Sequence, residues 1–206
     1  MSELDIRPLT PGRWKDIVDL FERPGPKGAW ARTGACYCMF WRLPSRDYEE
    51  AFRKRSLDNE TGGPNKERMA DIVRGGPAPG LLAYRDGQAV GWVSVSPRSD
   101  LVRLAESPGL RTGGDSGEEE TWSIACFYVH RSARRTRVGT ELLAAAVARA
   151  ADEGATAIEA YPVRAGSVDP YTGYDTMFRQ SGFGVVKQGR GKGRSLYRRE
   201  LRKPRT

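Results

Sequence analysis

Cysteine is scarce in this chain of 206 residues, with three in all, and histidine occurs once. Two of the cysteines form the close pair Cys36-Tyr37-Cys38, and the third is Cys126. An odd number so spaced is no disulfide framework and points to a reducing, cytoplasmic setting. One histidine and three cysteines are too few for a structural zinc site, so no metal is expected. Long apolar runs are missing as well, which argues against a membrane-spanning helix. The opening MSELDIRPLT has neither a basic start nor an apolar stretch and does not read as a secretory signal. No internal repeat is visible.

Charge of one sign is also missing from most of the chain. Lys plus Arg is 34 and Asp plus Glu is 26, a net +8. Nine basic residues and one acid, Glu200, fall within residues 187–205, so everything before that segment is neutral overall. This excludes a uniformly basic coat for nucleic acid. The runs GRGKGR and RRELRKPR carry charge but no interleaved aromatics apart from Tyr197. Hydrophobic residues make up 38% of the chain, enough for a globular core of one domain over residues 1–206.

What is present is an ordered run of elements. Residues 4–7 read as a strand. Thr10 caps a helix with Pro11 at its first position, and Trp14, Ile17, Val18 and Phe21 share one face. A Gly/Pro loop over residues 23–34 holds Trp30, and the aromatic run CYCMFW follows. Helices are expected from Ser45 to about Leu57 and from Lys66 to Arg74, the second capped by Asn65 and ended by Gly75-Gly76. Asp86-Gly87 makes a tight turn between strands over residues 81–84 and 89–95. Residues 97–120 read as a long polar loop. A strand over residues 122–129, a helix over 138–153 ended by Gly154, and a strand over 157–161 come next. A short helix over residues 174–180 and strands over 185–188 and 195–201 close the chain. The fold class is therefore α/β in the mixed α+β sense, a central mixed sheet of about six or seven strands flanked by helices.

The stretch YVHRSARRTRVGTELL carries the chemistry. A buried strand ends in a turn with four arginines, and a helix begins at once. Free backbone N–H groups and the helix dipole converge there, and the arginines favour a polyanion such as a diphosphate. A solvated basic turn without a ligand is the alternative that the residues alone leave open.

The same stretch resembles the acetyl-CoA-binding segment of the GCN5-related N-acetyltransferases, the GNAT family, whose signature is Gln/Arg-x-x-Gly-x-Gly/Ala. Arg134 and Gly139 match, whereas Arg137 stands where the first glycine belongs. MFRQSGFGVV, the closing strand and the hairpin GLLAYRDGQAVGWVSV are similar to the family's other elements, so the resemblance covers about residues 80–201. It implies a GNAT-like fold with a V-shaped opening, residues 1–75 forming the acceptor side and residues 202–206 a basic tail. It implies direct acetyl transfer from acetyl-CoA to a primary amine of a small molecule. Phe127, Tyr128, Val129, Arg134, Arg135, Thr136, Arg137, Val138, Gly139, Thr140 and Phe178 would bind the cofactor. A backbone N–H near Phe127 or Tyr128 would polarise the thioester carbonyl.

Many family members place a tyrosine acid where this chain has Phe178. Tyr174, four residues earlier on the same expected helix face, is the substitute, with Tyr171 a weaker candidate. Glu118, Glu119 and Glu120 are candidates for a base through water, against a solvated acidic run. Trp30, Cys36, Cys38, Trp41 and Cys126 are candidates for the acceptor pocket, against packing in an aromatic core; Cys36 and Cys38 would share a face if that segment is extended. His130 is assigned no catalytic part. The rival readings are an acyl-CoA sensor without turnover, a protein or peptide N-acetyltransferase, and a nucleic-acid module using the basic tail. A homodimer is left open.

Overall fold

The computed structural model describes residues 3–23, 36–58, 63–110, 120–163, 170–189 and 193–201. Trp30, Glu118, Glu119 and the tail over residues 202–206 lie outside the described residues. Seven strands form one sheet: β1 (Asp5–Pro8), β2 (Gly80–Arg85), β3 (Gln88–Pro97), β4 (Thr121–Val129), β5 (Ala157–Ala160), β6 (Gly184–Lys187) and β7 (Leu196–Glu200). Their spatial order is β1-β2-β3-β4-β5-β7-β6. Every neighbouring pair is antiparallel except β4 with β5. That parallel step needs a crossover, which α5 (Val138–Asp152) supplies.

The described helices before the hairpin are α1 (Trp14–Glu22), α2 (Ser45–Asp58) and α3 (Gly63–Gly75). A 3-10 turn at Pro11–Arg13 precedes α1, so Thr10 caps that turn, and without a side-chain cap bond. Asn65 is buried within the first turn of α3 instead of capping it. Within the loop expected over residues 97–120, the described residues 98–110 are more than loop. A 3-10 turn at Arg98–Asp100, the short helix α4 (Val102–Ala105) and another turn at Pro108–Leu110 bury Leu101, Leu104 and Leu110. Three spaced leucines in a polar stretch carry this packing, too sparse to announce a helix by period.

The core lies on both faces of the sheet. On one, α5 and α6 (Asp175–Gln180) cover Val93, Val95, Trp122, Ile124 and Phe127 through Leu142, Leu143, Ala146 and Phe178. On the other, α1 and α3 cover Leu82, Trp92 and Tyr128, and α4 with Trp41 covers Ala125, Tyr161 and Leu196. Gly91 on β3 has a packing reason to be glycine. A Cβ there would stand 2.7 Å from Val138 Cγ1 and 3.0 Å from Leu142 Cδ1, so its absence seats the start of α5 on the sheet. No described helix is long and apolar enough to cross a membrane.

Candidate functional site

Two features of β4 build the site. The register with β3 pairs Ser94 with Cys126 but Val95 with Ile124, leaving Ala125 as an extra residue. This bulge breaks the alternation of the strand. Trp122 and Ile124 face α5, and so do Phe127 and Val129, while Cys126 and Tyr128 turn to the opposite face.

The second feature is where β5 stops. Parallel pairing runs from Thr121 with Ala157 to Ile124 with Ala160 and ends there. Past that point residues 125–129 pair with β3 on one side, and no described strand pairs with them on the other, where the sheet opens. The His130 N–H donates to Val90 O at 2.9 Å. By the two-residue period of an antiparallel ladder, Tyr128 and Cys126 also bond toward β3. The N–H and C=O of Phe127 and Val129 then point into the opening. Consistent with this, the Val129 carbonyl accepts from Arg134 Nε at 3.2 Å.

At the end of β4 the chain makes a 3-10 turn, Arg131–Ala133, and then four residues of turn before α5. Arg135 and Arg137 both take positive φ, 61° and 66°. Arg137 thus adopts the left-handed conformation that a glycine at this place would take freely. A side chain in that region costs about 1–2 kcal/mol. Its persistence here keeps the amides of the turn and of the start of α5 in a concave arrangement suited to an anion. Arg131, Arg134, Arg135 and Arg137 are exposed around it, and no acid occurs from Tyr128 to Thr140. Thr136 Oγ1 donates to Ala133 O at 2.7 Å and accepts from Arg85 Nη1 at 3.1 Å. Arg85, at the end of β2, is a fifth guanidinium that the sequence pattern did not single out, and its buried Nε has no hydrogen-bond partner among the described residues. Val138 is buried, Gly139 half-buried and Thr140 exposed along the first turn of α5.

His130 is 9% exposed, and its Nδ1 lies 2.8 Å from Ser132 Oγ. Burial first, then the charges of Arg23, Arg131 and Arg134, hold its pKa below the ordinary value.

Beyond the opening, a 3-10 turn at Pro170–Thr172 lies against β4, and Tyr171 packs on the face that holds Cys126 and Tyr128. The helix α6 begins only at Asp175, so Tyr174 is its N-cap, with extended backbone and 37% exposure. The shared helix face expected for Tyr174 and Phe178 is therefore absent. Phe178 is fully buried, its ring 6.1 Å from that of Phe127 and 5.3 Å from that of Phe183. It supports β4 from the side of α5.

The segment with Cys36, Cys38 and Trp41 is not extended. Tyr37 and Cys38 are left-handed, at φ 44° and 56°, which ends the expected alternation of the two cysteines. Cys38 is buried against Trp92, whose Nε1–H donates to its Sγ at 3.2 Å. Trp41 is 6% exposed and packs on Tyr161. Burial, the nearby Cys38 adding to it, pushes the Cys36 thiol up to about 11.

A family model described as the acetyltransferase (GNAT) family matches residues 37–171. The fold is similar to that of the PaiA N-acetyltransferase from Thermoplasma acidophilum, solved in complex with coenzyme A. That protein is 14% identical, with 97% of this chain and 99% of that one covered and a TM-score of 0.54. A GNAT-family acetyltransferase from Streptococcus pneumoniae is 15% identical, with 97% and 99% covered and a TM-score of 0.51. No curated protein matches.

Proposed function

The chain belongs to the GNAT acetyltransferase family, and from that membership we propose that it transfers an acetyl group from acetyl-CoA directly to a primary amine of a small molecule. The observation that carries this reading is the edge of β4 past Ile124, to which no described strand pairs, leading into the left-handed, arginine-ringed turn at the start of α5. The residues fit such a donor. A diphosphate suits the amides from Arg134 to Thr140, and Arg85, Arg134 and Arg137 supply charge that nothing acidic in the turn offsets. The outward N–H and C=O of Phe127 and Val129 suit the amide-rich arm of a coenzyme A thioester.

Bound acetyl-CoA would supply an activated acetyl carbonyl. The chain's own part is to align, polarise and exclude water. Of the two amides considered from sequence, the Phe127 N–H points to the opening, so it is the donor assigned to the carbonyl oxygen. Residues 1–75 form the acceptor side, and the half-buried Cys126 of β4 borders the approach of the amine, with Cys38 and Trp41 packed behind it. We assign protonation of the departing thiolate to a tyrosine of the 170–174 segment, and the packing of Tyr171 against the face of Cys126 favours it over the exposed Tyr174.

Calorimetric titration with acetyl-CoA tests the reading. Binding is expected, and its absence at about 1 mM ligand, the upper end of ordinary KM values, would sink it. Arg134→Glu should weaken binding strongly while leaving the thermal melt unchanged. Tight binding without free-thiol release on any panel of amines would instead favour the sensor.

A further inference from the structure

Cys38 and Cys126 come from distant parts of the chain and meet on the acceptor face of β4. Both belong to the apolar cluster formed by Phe21, Trp92 and Tyr128. Trp92 pairs with Tyr128 and Ser94 with Cys126, so Trp92 and Cys126 stand diagonally across the same face of the ladder. The left-handed turn at Tyr37 and Cys38 brings the Cys38 sulfur to both. It accepts from Trp92 Nε1 at 3.2 Å and lies within hydrogen-bonding reach of the Cys126 thiol, which also reaches Phe127 O at 3.8 Å. Arg42 adds positive charge nearby. Cys126 is half-buried and so the more accessible sulfur, whereas Cys38 is 4% exposed.

We propose that Cys38 and Cys126 form a dithiol site that hydrogen peroxide oxidises to a disulfide, tying the segment after residue 36 to the strand that borders the opening.

The arrangement supplies each part of the chemistry. The hydrogen bond from Cys126, then Trp92 and Arg42, hold the Cys38 thiol below its ordinary pKa despite burial. The pair therefore shares a proton readily. In the less populated form, with that proton on Cys38, the Cys126 sulfur is the thiolate; being the accessible one, it attacks the O–O bond of hydrogen peroxide, giving a sulfenic acid and hydroxide. Hydroxide takes the proton from Cys38 and becomes water. The Cys38 thiolate then attacks the Cys126 sulfur; the S–S bond forms, the S–OH bond breaks, and the departing hydroxide is protonated to a second water. Two thiols are oxidised and one peroxide is reduced. Cys36 is the bystander, because burial keeps its thiol protonated. The step uses none of the acetyl-transfer chemistry, so its failure and that of the proposed activity are separable.

The test is peptide mapping by mass spectrometry of the whole protein treated with hydrogen peroxide. Two of the three thiols should disappear, the mass should fall by two hydrogens, and the linked peptides should contain Cys38 and Cys126. A thiol reductant should reverse the change. Cys36→Ser should still form the link, and Cys126→Ser should not. A link between Cys36 and Cys38, three thiols still reactive, or sulfinic acid at Cys126 without a link would each overturn the proposal.

Discussion

Arg98 donates through Nη1 to the fully buried Glu159 at 2.9 Å, joining the segment after β3 to the middle of β5. The same guanidinium reaches Tyr161 Oη at 2.8 Å and Leu110 O at 3.2 Å. Arg198 on β7 bonds the other Glu159 oxygen at 3.2 Å. Two cations and a tyrosine thus satisfy one carboxylate inside the sheet.

Removing that carboxylate leaves Arg98 facing a desolvated gap, while the partly exposed Arg198 keeps its bond to Glu200. Glu159→Ala should lower stability by about 3–5 kcal/mol, the range for breaking a buried ion pair from one side. Urea unfolding measures it. A loss under about 1 kcal/mol would mean that water takes the carboxylate's place.

Arg137 holds a conformation that favours glycine. Arg137→Gly and Arg137→Ala both remove the guanidinium, but only glycine is at ease at φ 66°. The glycine variant should be the more stable by about 1 kcal/mol. Equal melting temperatures would show that the turn relaxes elsewhere. For acetyl-CoA, Arg137→Gly should bind better than Arg137→Ala.

Gly91→Val puts branched carbon where Val138 Cγ1 already stands 2.7 Å from a Cβ. Overpacking of this kind costs about 1–3 kcal/mol. Because the collision is with the first turn of α5, acetyl-CoA affinity should fall along with stability. Lost stability with unchanged affinity would show that the anion turn does not depend on how α5 is seated.

His130 makes stability pH-dependent in a defined direction. Its folded pKa is lowered, so as pH falls through the ordinary value of 6.5 the unfolded chain takes up the proton first. The contribution is full above that value and is lost progressively as pH falls toward the folded pKa. His130→Gln should flatten this part of the melting profile; an unchanged slope would assign it to other groups.

Tyr171 and Tyr174 separate by kinetics. Tyr171→Phe should lower kcat about 100-fold, the scale of a lost general acid, with little change in KM. Tyr174→Phe should be nearly silent. The reverse pattern would return the role to Tyr174.

The elements around the opening were legible because their signals are local. Asp86-Gly87 marks the hairpin, the spacing of Leu142, Leu143 and Ala146 marks α5, and the strand–turn–helix run holds the arginines. The features that aim side chains were not. A bulge at Ala125 depends on how β3 and β4 pair, and alanine carries no sign of it. Arg85 reaches Thr136 across 51 positions in sequence, and no local period links them. The left-handed turn at Tyr37 and Cys38 has no glycine or asparagine to announce it. Tyr174 was expected inside a helix that begins one residue later, which turns its side chain off the shared face.

The parallel seam between β4 and β5 is four residues long, Thr121 to Ile124 against Ala157 to Ala160. Across it the sheet behaves as two plates, β1 to β4 and β5 to β7, riveted along one short edge. Arg98, from the β4 plate, adds a polar bolt through Glu159. The amides of that seam should therefore exchange with solvent only when the plates part, so their protection reports the mechanical integrity of both halves at once.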